Sequence, residues 1–253
     1  MSTIIDWRTF NVNELRVSLR PTNKGTHNVI IGYGADSASL SFITPPCITR
    51  YPRVTGDGNF TDKNPWSPDC KEKASFTLDL TCEPVNNNQN DDMLEFHKML
   101  DSIDDKVLDF FYQNQVKLLG RRNLNRDEVN VLLIRSSKSK IDKLTGHDSY
   151  KVLNASTKKY HYDGVGNQRM REITLVDVKG KVLTDAKVLP GDVVAANVFL
   201  NQVYSGVGGD KFGCHWGIKD VCIVCQSHLL EKKSELTHMA HEGHPYAMDY
   251  TLF

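Results

Sequence analysis

The chain has 253 residues, 31 Lys or Arg against 31 Asp or Glu, and a hydrophobic fraction of 40%. That size and balance suit one elaborated globular domain or two small ones. A net charge of zero excludes a protein that coats nucleic acid with its whole surface; only a local basic patch is left for that role.

Near the N-terminus, MSTIIDWRTF has no basic segment followed by an apolar core, and no run approaches the ~18 apolar residues of a membrane span. An intracellular, soluble protein is expected. Alternation over Leu15 to Arg20 predicts a half-exposed strand ended by Pro21. Asn28 to Tyr33 and Ser37 to Ile43 read as two strands of a hairpin joined by Gly34, Ala35 and Asp36, the second stopped by Pro45 and Pro46.

Residues 44 to 73 read as a long irregular connection rich in Pro and Gly. It interleaves Arg50, Tyr51, Arg53, Phe60, Lys63 and Trp66, a composition suited to stacking on and neutralising a nucleic-acid strand. The alternative is that Phe60 and Trp66 plug the side of a barrel. Ala74 to Cys82 then alternates Phe76, Leu78 and Leu80 against Thr77, Asp79 and Thr81, the pattern of a one-sided strand.

From Met93 to Leu119, apolar residues including Val116 recur at three- and four-residue spacings up to Gly120, which predicts an amphipathic helical region capped by Asn90 or Asp91. Asp104 and Asp105 leave one helix or two open. Seven acids between Asp91 and Asp109 face only Lys98 and Lys106, whereas Lys117 to Glu172 holds thirteen Lys or Arg against six acids. The acidic half is read as a solvated face. Asn125 and Glu128 form a capping box for a further helix, and Lys138, Lys140 and Lys143 lie in a connection to a strand over Ser149 to Ala155.

Two tyrosines, Tyr160 and Tyr162, stand among Lys158, Lys159, Arg169 and Arg171, a second patch suited to bases and phosphates, with Lys151 just before it. Glu172 to Val178 is a strand, and Lys179, Gly180 and Lys181 turn the chain.

The most informative stretch is Leu189 to Gln226. Leu189-Pro190-Gly191-Asp192 is a turn, and two β-rich runs, Val193 to Tyr204 and Lys211 to Cys225, flank SGVGGD as an antiparallel hairpin. In the second run Phe212, Cys214, Trp216 and Ile218 share one face, while Lys211, His215 and Lys219 share the other. Trp216 is therefore read as core, and the cations as phosphate contacts. Such a hairpin must join a larger sheet, most economically a small barrel.

Catalytic and cofactor motifs are missing: there is no Walker A sequence, GxSxG elbow, HExxH or dinucleotide fingerprint. No enzyme activity and no cofactor are expected. Cys222 and Cys225 with His228, and the triplet His238, His241 and His244, suggest zinc by spacing. Within a strand, however, Cys222 and Cys225 point to opposite faces, so no metal site is expected; reduced, structural thiols are.

The pattern of Leu189, Gly191, Asp192 and Val193, then Val203 and Tyr204, then Lys211-Phe212-Gly213, Trp216 and Val221 resembles the C-terminal signature of the single-stranded DNA-binding proteins of large eukaryotic DNA viruses, themselves distantly similar to those of podovirus-type phages. The resemblance implies a mainly β protein with inserted helices, built on an OB-fold-like Greek-key barrel over 1–226 with a helical insertion near 91–137, and a tail over 227–253. It also implies sequence-independent, non-catalytic binding of single-stranded DNA in viral replication or recombination within the infected cell. The tail, with Asp249 and the terminal Phe253, would meet viral replication proteins, and self-association is left open. The nucleic-acid contacts expected are Lys211, His215, Lys219, Tyr204, Arg169, Arg171, Lys151, Tyr160, Tyr162, Arg50, Tyr51 and Trp66. The alternative is a virion structural or scaffold protein with a barrel core.

Overall fold

The computed structural model describes residues 4–23, 26–35, 38–55, 75–84, 90–121, 123–141, 148–158, 160–162, 168–170, 173–183, 186–206 and 209–226, with backbone alone at 51–55, 141, 148–149, 160–162 and 168–170. Two single 3₁₀ turns, Trp7–Thr9 and Val12–Glu14, lead into β1 (Leu15–Pro21), which pairs antiparallel with β2 (His27–Tyr33). The N-terminal hairpin is therefore this pair, reversed over Thr22 and Thr26, whose hydroxyls lie 2.7 Å apart. The hairpin expected between β2 and the next run reduces to one bridge, Tyr33 to Ala38. Strand β3 (Ser41–Ile43) joins a different partner near the C-terminus.

The supposed irregular connection contains a strand, β4 (Cys47–Thr55), paired with β5 (Ser75–Thr81). Pro52 is tolerated because the register shifts between Arg50 and Arg53, so the proline falls where the ladder is already interrupted. Strand β5 is buried on both faces rather than one. Its polar row finds partners: Asn154 donates to Asp79, and the Thr81 hydroxyl donates to the Ile48 carbonyl at 2.9 Å.

Helix α1 (Asp91–Gln113) is continuous, capped by the Asn90 side chain, which accepts from the Met93 amide at 3.1 Å. The chain breaks at Asn114 and restarts as α2 (Gln115–Leu119), which puts Val116 out of phase and leaves it 50% exposed. Helix α3 (Arg126–Leu132) has the Asn125–Glu128 capping box. The acidic face is not merely solvated. Asp92, Asp101, Asp105 and Asp109 pair with Arg8, Lys151, Arg135 and Arg126, and Asp104 is fully buried.

Strands β6 (Leu133–Ile134) and β7 (Ser137–Ile141) follow, so the Lys-rich connection is partly strand, paired with β8 (Asp148–Lys158). A separate ribbon of β9 (Tyr160–Tyr162) and β10 (Gln168–Met170) precedes β11 (Thr174–Asp177), after which Asp177 Oδ1 accepts from the Lys179 and Lys181 amides in the expected turn. The long hairpin is β12 (Val193–Ser205) against β13 (Phe212–Cys225).

These pairings close a ring. β4 pairs with β5, β5 with β8, β8 with β13, β13 with β12, and β12 returns to β4. All contacts are antiparallel except β8 with β13, which is the order of a five-stranded OB-type Greek-key barrel. β3 borders β12, and the β1–β2 hairpin extends the sheet from the far half of β12, where Val203 faces Val29.

Inside the ring, Leu78, Leu80, Leu153, Ala155, Val194, Ala196, Val198 and Ile218 pack around Trp216, and α1 seals one side with Phe96, Leu100 and Ile103. A second cluster joins α1, α2 and α3 to the hairpin, where Phe111 stacks on Phe212 at 4.0 Å. Trp216, only 1% exposed, is core; its Nε1 donates to Ser136 Oγ at 2.8 Å, and that hydroxyl donates to Asp104 at 2.8 Å. The Asp104 carboxylate also accepts from the Ser136 amide at 2.6 Å.

Two buried groups answer acid in opposite senses. Burial pushes Asp104 up to about 6, against the lowering pull of its Ser136 hydrogen bonds, so the folded state holds a proton that the unfolded state releases above its ordinary 3.8. Its contribution improves as pH falls from about 6 to 4. Burial, then the Lys151 charge, pushes His97 down to about 4 from 6.5; it bonds Ser137 Oγ at 2.7 Å, and its Nε2 has no partner among the described residues. Its contribution is present above 6.5 and is lost toward 4. In thermal melts followed across this range, His97→Gln is expected to lose less Tm on acidification than wild type, and Asp104→Asn more. Each difference should be a few degrees, since ~1 kcal/mol moves a domain of this size by about 2–4 °C.

Candidate nucleic-acid interface

Strand β13 has two faces with different fates. Phe212, Cys214, Trp216 and Ile218 turn inward, against the helices and into the barrel, while Lys211 just before the strand, then Gly213, His215, Gly217 and Lys219, form the outward row. The two glycines matter because each is closely covered. Phe199 is directly opposite Gly217, and a Cβ there would stand 2.4 Å from its Cζ, so the ring lies on bare backbone. Tyr204 is directly opposite Gly213, where a Cβ would meet the Ile134 carbonyl of β6 at 2.5 Å and the Tyr204 hydroxyl at 3.2 Å. The outward face of the hairpin thus carries the Phe199 ring over Gly217 and Tyr204 beside Gly213, with His215 between them.

His215 is held rather than loose. Asn201 Nδ2 lies 3.1 Å from its Nδ1, and Ser156 Oγ lies 3.0 Å from its Nε2. The ring thus joins β12, β13 and β8. Burial, with the neighbouring Cys214 and Asp104, pushes the Tyr204 phenol up, so it stays a hydrogen-bond donor. Lys211 and Lys219 are exposed at the two ends of the row, and Lys158 is exposed at the end of β8. Among the described residues none of these three lysines has an acidic partner. The acids of the outward face are engaged: Asp79 accepts from Asn154 and lies 4.0 Å from Lys140, and Asp220 accepts from Asn197 at 3.2 Å.

Of the residues expected from sequence, Lys211, His215, Lys219 and Tyr204 come together here. Arg50 lies across from Asp79, on the outward side of β4, but forks onto Glu83 at 2.8 and 3.2 Å. Lys151 is not brought in: it shares the inward side of β8 with Leu153 and Ala155 and pairs with Asp101 of α1 at 2.8 Å. In the β9–β10 ribbon, Tyr160 faces Met170, Tyr162 faces Gln168 and Arg169 faces His161 along the backbone. Tyr51 is described by its backbone within β4. Trp66, Arg171, Asp249 and Phe253 lie outside the described residues, as do His228, His238, His241 and His244.

Phe199, Asn201 and Ser156 were missed. Five positions separate Phe199 from Tyr204, so strict alternation puts them on opposite faces; the register shift between Leu200 and Gln202 brings them to the same one. A ring with a glycine at the paired position was the available signal, legible only once the register is known.

Buried Cys222 sits opposite Ala195, with its thiol pushed up to about 11 by burial, and Cys225 sits opposite Val193. Among the described residues no three His, Cys, Asp or Glu side chains are grouped to hold a metal ion, and no helix is long and apolar enough to cross a membrane.

No family model matches the chain, and no curated protein matches it in sequence. Among solved structures it is similar to gp2.5, a single-stranded DNA-binding protein encoded by bacteriophage T7, at 12% identity over 83% of this chain and 100% of that one, with a TM-score of 0.45. It is also similar to the single-stranded DNA-binding protein from bacteriophage Enc34 in complex with ssDNA, at 11% identity over 83% and 97% of the two chains, with a TM-score of 0.34. At these scores the barrel rests on its own ring of strand pairings.

Proposed function

We propose that this protein binds single-stranded DNA through the outward face of the β12–β13 hairpin, without sequence preference and without catalysis. The observation that carries the reading is the pair of aromatic residues on one face, Phe199 over Gly217 and Tyr204 opposite Gly213, between Lys211 and Lys219, which have no acidic partner among the described residues. Bases of any identity stack on such rings, while the cations displace counterions from the phosphates. In OB barrels the face of the second and third strands, flanked by the first and fourth connections, takes oligonucleotides. Here those strands are β5 and β8, and the connections are 56–74, which contains Trp66, and 206–211, which ends in Lys211. The resemblance of the Leu189 to Val221 pattern to single-stranded DNA-binding proteins of large eukaryotic DNA viruses favours the same reading, with protection of replication or recombination intermediates as the proposed setting.

Fluorescence anisotropy against labelled single-stranded and duplex oligonucleotides of equal length tests this. A salt-sensitive preference for the single strand is expected; no binding at low salt would overturn the reading and favour a scaffold role. Phe199→Ala is expected to weaken single-strand binding by the ~1–3 kcal/mol that one stacked base contributes, with little change in salt dependence. Lys211→Ala with Lys219→Ala should instead lower the slope of log affinity against log salt by about 1.4, the loss of two phosphate contacts.

A further inference from the structure

We infer that the N-terminal β1–β2 hairpin carries a second stretch of the same nucleic-acid track, so that a bound strand leaves the barrel over Tyr204 and continues to Arg20 and Arg16. The inference rests on the single-strand reading above and adds a part of the chain that neither the barrel nor its connections include.

The sheet is continuous from one segment to the other. Val203 of β12 faces Val29 of β2, and both turn toward the helices, as do Val17, Leu19 and Ile31 of the hairpin. The opposite face of the hairpin therefore lies on the same side as Tyr204 and His215. That face holds Arg16, Ser18, Arg20, Asn28 and Ile30, all exposed, with Ile30 at 43%.

Register places these residues in rows. Antiparallel to Val203 and Val29, Tyr204 neighbours Asn28 and Gln202 neighbours Ile30; across β1, Arg20 faces Asn28 and Ser18 faces Ile30. A transverse row therefore runs Gly213, Tyr204, Asn28, Arg20. With strands about 4.8 Å apart, Arg20 stands about 10 Å from the Tyr204 position, within reach of a phosphate flanking a base stacked on that ring.

Charge points the same way. Arg8, Lys98, Arg126, Arg135 and Lys151, on or beside α1, each have a carboxylate within 2.8 Å. Among the described residues Arg16 and Arg20 have none, like Lys211 and Lys219. Ile30, beside Gln202, gives the path an apolar surface on which a base can lie.

The test is anisotropy titration of the full chain with labelled oligothymidylates of about eight and about twenty nucleotides, one inside and one beyond the span of a single OB groove. Arg16→Glu with Arg20→Glu is expected to bind the short oligomer as wild type does, to bind the long one about tenfold more weakly, and to lower its salt slope by about 1.4. Arg16→Lys with Arg20→Lys should keep the wild-type slope, and unchanged melting of both variants would show that folding is intact. If the glutamate variant binds the long oligomer like wild type while the Lys211 and Lys219 variant is weakened at both lengths, the extension is wrong and the groove stands. Equal loss at both lengths also overturns the extension, because it would make Arg16 and Arg20 part of the primary groove. Wild type binding neither oligomer would remove the groove reading itself.

Discussion

Three hydrogen bonds tie Trp216 in the barrel interior to α1: Trp216 Nε1 donates to Ser136 Oγ, and the Ser136 hydroxyl and amide both donate to the Asp104 carboxylate. A Trp ring in an apolar core needs a partner for its N–H, and a carboxylate in the middle of a helix needs donors when it is buried. Ser136, between β6 and β7, meets both needs at once. The inward face of β13 is thereby fixed to α1, and Phe111 on Phe212 repeats the attachment with apolar contact about two turns further along the helix.

Fixing one face of β13 determines what the other can do. Inward-facing Cys214, Trp216 and Ile218 leave Gly213, His215 and Gly217 pointing away from the helices. Because Gly217 lacks a Cβ, the Phe199 ring can settle onto backbone instead of being held off by a side chain, and Gly213 likewise lets the Ile134 carbonyl and the Tyr204 hydroxyl approach. Such a platform is stiff: the strands beneath it belong to the closed ring, and His215 is tied to Asn201 and Ser156. Preorganised rings lose little entropy when a base arrives, which suits a surface that must accept any base.

Much of this was legible beforehand. The periodicity of α1, the Asn125–Glu128 capping box, the hairpin about the Gly loop and the split faces of its second strand all follow from local pattern. What pattern could not supply was register and long-range pairing. A proline hid β4 because its bulge cannot be foreseen from one strand alone, and lysines hid β7 because its pairing with β8 is decided across the sheet. Lys151 looked like a neighbour of Tyr160 and Tyr162, but alternation along β8 turns it inward to Asp101. Phe199 lay unrecognised for the same reason in reverse, since a bulge two residues away chose its face.

Net charge was the least informative quantity. A total of zero counts Arg135 and Arg126, already neutralised against α1, equally with Lys211 and Lys219, which face solvent with no carboxylate partner among the described residues. A polyanion senses the local field within about a Debye length, roughly 8–10 Å in ordinary salt, not the sum over the chain. Placing the acids in one helix, and pairing them there, removes negative charge from the outward sheet without changing the total. Among the described residues, five of the seven ion pairs involve acids of α1, on the side away from the rings, while Lys211, Lys219, Arg16 and Arg20 on the opposite face have no carboxylate partner.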